Sequence, residues 1–437
     1  MRLKKRSTFV LSHPTDILSA LVGLKDVRVL SYVRSGPVVE LVIEQDPIKP
    51  NCPSCGSRAH VKERPLVRYV DLPVYGRPMT LTWKKHRMAC VSPECEKNSF
   101  VLGDHRIAAK NCLLTTRAAK WATEQVGTGR TVLEVARELG CDWHTVNDAV
   151  TTYEEALIAA DRKRLTKTRA IGLDETSFVR RAGFVTDYAT TVADVANHRI
   201  IEVLPSRSYV EVARWVHDQP VGWRAEIRYG ALDMSATYAA VYSVTLPKAV
   251  QVVDPFHVIA LANRALDAIR RRVQSETLGH RGRKNDPLYR IRRVLLMGQE
   301  KLDAKGSERL SSLLALGDPD GYVAIAYRVK ERLREFYRAP DPQSASEMLT
   351  ELIEHCVKRS MPPELKRLGR TLERWFDKIC AYHQERITNG PTESINNLIK
   401  RIKRIGFGFR NFENYRIRVL LYAGKPNWRV LGSIVVT

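Results

Sequence analysis

The order of strand-like and helix-like runs between residues 169 and 257 constrains this chain most. Residues 169–175, 188–194 and 199–204 are rich in β-branched and small apolar residues, and Ala196-Asn197-His198 forms a turn between the second and third runs. A helical pattern follows at 209–217, then a strand at 225–232, a helix at 236–244 and a last strand at 249–253. The order is β-β-β-α-β-α-β, a meander followed by alternating crossover units. From about 258 to 390 only helical patterns occur, for example at 261–273, 288–302, 322–337 and 344–358. This stretch reads as a large α-helical insertion.

Three strands in meander followed by alternating α and β is the ribonuclease-H arrangement. In such a mixed sheet the fourth strand lies beside the first. Asp174 ends the first strand and Asp233 the fourth, so the two acids are expected to be neighbours. Glu393 opens a late helix, since Asn389-Gly390 is a turn signal and Pro391 suits a first helical turn. Taken singly, an acid at a strand end is more often a cap or a turn residue. Jointly, these three suit phosphoryl transfer: carboxylate oxygens bind hard cations such as Mg2+ or Mn2+, and two such ions can activate an attacking oxygen and stabilise the leaving one. Asp254 also ends a strand and competes with Asp233 as second ligand. Asp233 is preferred because its strand borders that of Asp174. Asp254 and His257, in Asp254-Pro255-Phe256-His257, then orient a ligand or a phosphate; the alternative for His257 is a buried structural role.

Of eight cysteines, four cluster as Cys52-Pro53-Ser54-Cys55 and Cys90-x4-Cys95. Two thiol pairs some 35 residues apart suit tetrahedral zinc, although the second pair is looser than the usual spacing. A disulfide or an accidental cluster is the plain alternative, and His60 or His86 could replace one thiol. Residues 115–160 are helical. Within them Ala136 permits close helix approach, Gly140 supplies a turn, Asp142 can cap the next helix and Val146 packs it down. Those offsets fit a helix-turn-helix whose second helix presents His144, Thr145, Asn147 and Asp148 to a DNA groove.

The chain carries 71 Lys and Arg against 48 Asp and Glu, a net charge of +23 over 437 residues. So basic a globular chain favours a polyanionic partner. No signal-peptide h-region follows the basic start, and no apolar run approaches the roughly 20 residues of a spanning helix. The expected place of work is the cytoplasm. Asn396, Asn397, Lys400, Arg401, Lys403 and Arg404 lie on the helix behind Glu393, and with Arg410, Arg416 and Arg418 they are expected to face DNA. Phe407, Phe409, Phe412 and Tyr415 are read as core, not as base-stacking residues.

These residues resemble the ISL3 family of bacterial insertion-sequence transposases of the DDE class. The likeness rests on Cys52-Pro53-x-Cys55-Gly56, Gly172-Leu173-Asp174-Glu175, Leu232-Asp233-Met234-Ser235-x-x-Tyr238 and Asp254-x-Phe256-His257-Val258. Most specific is the C-terminal block, with Asn389-Gly390, Glu393, Asn396-Asn397, Lys400, Lys403-Arg404 and Gly408-Phe409-Arg410-Asn411-Phe412-x-Asn414-Tyr415-Arg416. It departs from expectation at Pro391-Thr392, where a more polar or basic pair would be usual.

The resemblance implies a multidomain α+β protein with a zinc ribbon, a helix-turn-helix and a ribonuclease-H-like core interrupted by an α-helical insertion. The expected boundaries are 1–105 for the β-rich zinc-binding domain and 106–165 for the helix-turn-helix. The core takes 166–260 and 388–425, and the insertion 261–387. Asp174, Asp233 and Glu393 match the family's acidic triad, with Mg2+ or Mn2+ as catalytic ions and Zn2+ at Cys52, Cys55, Cys90 and Cys95. The implied partners are terminal inverted repeats and target DNA, engaged by a homodimer or larger synaptic complex. Two rivals are a regulator with a dead core and a nuclease that hydrolyses without joining.

Overall fold

The computed structural model describes residues 14–46, 50–181 and 185–436, which form a mixed α/β protein of two compact units. The first unit combines the N-terminal 164 residues with those from Lys400 onward; the second spans Leu165–Ile399.

The first unit begins with helix α1 (Pro14–Val22) and strands β1 (Val27–Ser35) and β2 (Val38–Gln45). Then come β3 (Ala59–Glu63), β4 (Leu66–Val74), β5 (Arg77–Lys84), β6 (Arg87–Cys90) and β7 (Ser99–Val101). One sheet has the order β1-β2-β5-β4 and a smaller one β3-β6-β7. Alternate residues of β2 are buried, with Val39, Leu41 and Ile43 facing Leu81 and Trp83 in one apolar cluster. Helices α2 (Thr116–Gly127), α3 (Val132–Leu139) and α4 (Trp143–Ala160) follow. Buried Asp71 on β4 ties this sheet to α2, accepting from Thr115 Oγ1 (2.7 Å) and Arg117 Nε (2.8 Å).

The second unit is built on β8 (Ala170–Arg180), β9 (Thr186–Asp194) and β10 (Arg199–Leu204), followed by α5 (Tyr209–His217) and α6 (Val221–Glu226). Next are β11 (Tyr229–Leu232), α7 (Ala236–Thr245), β12 (Val250–Val253) and α8 (Pro255–Leu278). The sheet order is β10-β9-β8-β11-β12: β8, β9 and β10 pair antiparallel, while β11 lies parallel to both β8 and β12. The expected strand at 225–232 begins late. Trp223 is buried and its segment coils into α6, leaving only Tyr229–Leu232 extended.

Seven α-helices follow: α9 (Pro287–Arg290), α10 (Ala304–Gly317), α11 (Tyr322–Phe336), α12 (Pro342–Val357), α13 (Pro363–Arg374), α14 (Phe376–Cys380) and α15 (Tyr382–Glu385). Among them α11 packs along α8, and α12 packs on α11. The helix expected at 288–302 is broken into short turns. Fully buried Lys330 on α11 takes the carbonyls of Leu295 and Met297 through Nζ, which removes them from any helical ladder.

Helix α16 (Gly390–Ile405) leads into α17 (Phe412–Ala423) and α18 (Trp428–Leu431). The sequence reading places 388–425 in the core. In the structure the segment from Lys400 groups instead with the helix-turn-helix, because Ile417, Leu421, Leu431 and Ile434 share one apolar cluster with Ala118, Ala122, Val146 and Val150.

Candidate active site

Strand register places the acids. Leu232 of β11 pairs with Leu173 of β8 on one side and with Val253 of β12 on the other. Each of these residues is followed by an aspartate, so Asp174, Asp233 and Asp254 stand level on three adjacent strands where the parallel pairing stops; β11 and β12 end there, but β8 runs on to Arg180 paired with β9, so Asp174 lies within its strand and does not end it as the sequence suggests. Ligand sites of open α/β sheets lie at that edge.

The three acids have different surroundings. Asp174 accepts a hydrogen bond from the Glu175 amide (2.7 Å) and a short one from Asn396 Nδ2. Burial, and then repulsion from Asp233, push its carboxyl up to about 6. Asp233 meets His257 Nε2 at 2.9 Å and Asn389 Nδ2 at 3.5 Å. The bond to Asp233 raises the His257 imidazole above its ordinary value and favours the charged form. Asp254 is buried and caps α8, accepting from the Phe256 amide at 2.9 Å; burial raises its carboxyl too. His257 is half-exposed beside the cluster, not sealed in a core.

Helix α16 meets this edge at Gly172, two residues before Asp174. A Cβ on Gly172 would lie 2.5 Å from Asn389 Oδ1 and 2.6 Å from Thr392 Oγ1, so only glycine lets the helix start sit on the strand. Asn389, Thr392 and Asn396 are all buried, and one oxygen of each has no hydrogen-bond partner. Glu393 donates its amide to the Asn389 carbonyl (3.1 Å) and precedes Asn396 by three residues. It therefore shares the helix stripe whose ends touch Asp233 and Asp174. Its side chain is exposed. The structure thus gathers Asp174, Asp233 and His257 and brings Glu393 to the same edge. Asp174, Asp233 and Glu393 are not drawn within 4.8 Å of one another, as the four cysteines are. Pro391-Thr392, a departure in the sequence, has a structural reason: Thr392 is the residue pressed against Gly172.

Cys52, Cys55, Cys90 and Cys95 converge, all four sulfurs lying within 4.8 Å of one another. The Cys52–Cys95 and Cys55–Cys90 pairs are 3.7 and 3.4 Å apart. Gly56 turns the first knuckle at φ +75°, and the Cys52 amide donates to the Ser57 carbonyl. Hydrogen bonds from Ser57 lower the Cys55 thiol to about 6, while Cys90 is raised to about 12. Neither histidine joins the quartet: His86 is buried against Glu44 at 3.2 Å, and His60 is exposed outside the group.

The helix-turn-helix forms as its offsets imply. Thr131 and Glu134 make a capping box on α3, Gly140 ends it at φ +71°, and Asp142 caps α4. His144 is exposed on α4. Two readings of its groove face need correction. Thr145 is buried, with its hydroxyl and amide both bonded to Asp142. Asn147 donates to Asn414 Oδ1 of α17 at 3.3 Å. Asn396, read as facing DNA, is likewise buried, with its amide donating to Asp174. Asn397, Lys400, Arg401, Arg404 and Arg410 are exposed, whereas Lys403 is half-buried and its ammonium lowered by desolvation. Arg418, also read as a phosphate contact, is buried and donates to the Arg130 carbonyl at 2.8 Å. The inward roles of Asn389 and Thr392 are absent from the sequence reading; the bare Gly172 ahead of Asp174 is the signal that could have found them.

No helix of the described residues is long and apolar enough to cross a membrane. A transposase family model, that of the ISL3 DDE enzymes, matches residues 171–419, and the helix-turn-helix domain model of transposase family ISL3 matches residues 104–154. The transposase for insertion sequence element IS1001 of Bordetella parapertussis is 26% identical over 378 residues, covering 84% of this chain and 87% of that one. The transposase for insertion sequence element IS1557 of Mycobacterium tuberculosis is 28% identical over 293 residues, 62% of this chain and 63% of that one. A solved Drosophila P element transposase strand transfer complex matches 73% of this chain and 94% of its own at 9% identity and a TM-score of 0.38, too low to argue from. With its family model spanning more than half its length, this chain belongs to the ISL3 family of DDE transposases, insertion-sequence enzymes that carry a helix-turn-helix DNA-binding domain.

Proposed function

We propose that Asp174, Asp233 and Glu393 are the catalytic carboxylates of a ribonuclease-H-like core that cuts DNA at the ends of its element and joins the freed 3′-hydroxyl to target DNA. The observation that supports this reading is the pair of aspartates on adjacent parallel strands, with Asn389 and Thr392, at the head of the helix that bears Glu393, seated against Gly172. The donor set suits two Mg2+ or Mn2+ ions: all three ligands are hard oxygens, and the Asp174 carboxyl is raised by burial and then by repulsion from Asp233, the second of which a divalent cation would relieve. When bound, such ions supply the charge that activates an attacking oxygen and stabilises the leaving one. Around them the chain's own groups position the ligands. Asn396 holds Asp174, while His257 and Asn389 hold Asp233. Asp254 fixes the start of α8 and so the place of His257.

Four thiols at tetrahedral reach fit Zn2+ as a structural ion in the N-terminal domain. That domain and the helix-turn-helix would read the terminal inverted repeats from the cytoplasm, at the nucleoid. Handling two ends calls for a homodimer or larger synaptic complex. The deciding experiment is Mn2+-dependent nicking and strand transfer on DNA carrying the element's ends. Wild type is expected to yield joined products, and Asp174→Ala and Glu393→Ala none. Equal nicking by the variants overturns the triad; cleavage without joined product favours a nuclease.

A further inference from the structure

Helix α16 ends in an unusual cap. The Phe407 amide donates to the Arg404 carbonyl (3.1 Å) and the Gly408 amide to that of Lys403 (2.8 Å), the paired bonds of a Schellman motif. The residue that must turn left-handed in this motif is ordinarily glycine; here it is Phe407, at φ +52°. Its ring gains nothing from packing, since Phe407 is 96% exposed. The neighbouring rings behave differently. Phe409 lies over Gly406 and, like Phe412, packs on buried Tyr415. The core reading therefore holds for Phe409, Phe412 and Tyr415 and fails for Phe407.

The setting of that ring indicates its partner. Between Ser394 and Phe412 there is no acidic residue and there are five cations: Lys400, Arg401, Lys403, Arg404 and Arg410. Beside the ring opens a cavity of about 420 Å3, lined also by Trp143 at the start of α4 and by Asn411, Asn414 and Arg418. Arg418 is buried there, with Nε lacking any hydrogen-bond partner. An exposed aromatic tip on a segment whose five charged residues are all cations suits a duplex, whose phosphates meet the cations while the ring enters the base stack. We propose that Phe407 is a wedge that unstacks one base step of the bound DNA, with the adjacent cavity giving room for the displaced base.

This rests on the DNA-binding role of the chain, and its test separates the two. A 30-base-pair duplex of arbitrary sequence is compared with the same duplex carrying a central mismatch, each with 2-aminopurine beside the central step. A mismatch lowers the cost of unstacking, so wild type is expected to bind it at least fivefold more tightly, with a rise in 2-aminopurine fluorescence. Phe407→Ala should bind both duplexes equally and give no rise, while Phe407→Trp should keep both effects. Phe407→Gly, which restores the usual cap residue, should raise Tm by a degree or more yet behave as Phe407→Ala with DNA. Binding by wild type without preference or fluorescence change overturns the wedge alone; no binding to either duplex overturns the DNA-binding reading as well. A Phe407→Ala protein that keeps the mismatch preference but loses self-association by light scattering overturns the wedge and gives the ring to a protein contact.

Discussion

The four-cysteine cluster and the acidic edge, the two metal sites proposed above, are gathered by opposite means. The cysteines come from one stretch of 44 residues, Cys52 to Cys95, and their sulfurs already touch in pairs. Little but short hairpins and the Gly56 turn holds them, so the bound ion would itself be the staple. The acids come from three distant places. Asp174 and Asp233 are fixed by strand register, and Glu393 arrives on a helix seated against Gly172. Here the fold makes the site, and the carboxylates stay apart with an open side toward solvent. A closed four-ligand site suits structure, and an open one suits a reaction.

That contrast is broken most directly at the acids. Asp174→Asn or Asp233→Asn keeps the side-chain shape and removes one ligand charge. A bound ion contributes several kcal/mol of transition-state stabilisation, and each 1.36 kcal/mol is a factor of ten. Nicking at the element's ends is therefore expected to fall about a thousandfold, with Tm unchanged or slightly raised, because a like-charge pair is relieved. A variant that loses activity and unfolds together would mean the acids are structural.

The opposite outcome is expected at the thiols. Cys52→Ser should abolish stoichiometric zinc, measured by elemental analysis. It should destabilise the N-terminal unit by about 3 kcal/mol or more, since ion binding there is folding energy. Limited proteolysis should then cut within 50–105 while leaving 170–260 protected. Protection lost in both regions would show that the sheet of the second unit also depends on the cluster.

Gly172→Ala tests whether the fold alone positions the third acid. The added Cβ meets Asn389 and Thr392 at about 2.5 Å and must push α16 off the strand. Overpacking of this kind costs about 1–3 kcal/mol, and misplacing a reactive group by about 1 Å costs up to a hundredfold in rate. Nicking should drop by that order, whereas zinc content should not change.

The same contrast explains what could be read in the sequence. The thiol pairs, the capping residue Asp142, and the strand order that sets Asp233 beside Asp174 are local or periodic signals, and the structure carries each of them. Helix faces were harder. Thr145, Asn147 and Asn396 are polar residues on basic or polar helices, and nothing local distinguishes a groove-facing amide from one spent on Asp142, Asn414 or Asp174. The sequence places 388–425 as one piece in the core. Past Lys400 its apolar residues pack instead on α2 and α4, a pairing nearly 270 residues apart that no short-range pattern carries.

Acidity gives a gentler comparison of the two sites. Burial first, and Asp233 second, hold the Asp174 carboxyl at about 6, above the ordinary value of about 3.9 for an unfolded chain. A raised native pKa means that the folded protein binds this proton more tightly than the unfolded one. Without divalent ions its contribution therefore favours folding as pH falls from 6 toward 4, and is lost as pH rises through 6. Metal binding has the reverse sign, because the ion needs the carboxylate. At subsaturating Mn2+, nicking should fall about tenfold for each pH unit below 6, and a saturating ion concentration should shift the fall to lower pH. Asp174→Asn should remove its part of the stability profile as well as the activity. Four thiols sharing one ion should keep their zinc through most of this window, so zinc content measured at pH 5.5 is the control. Loss of zinc and of Mn2+-dependent nicking along one common pH curve would show that both sites are governed by a single acid-sensitive event, and the distinction between a closed and an open site would fail.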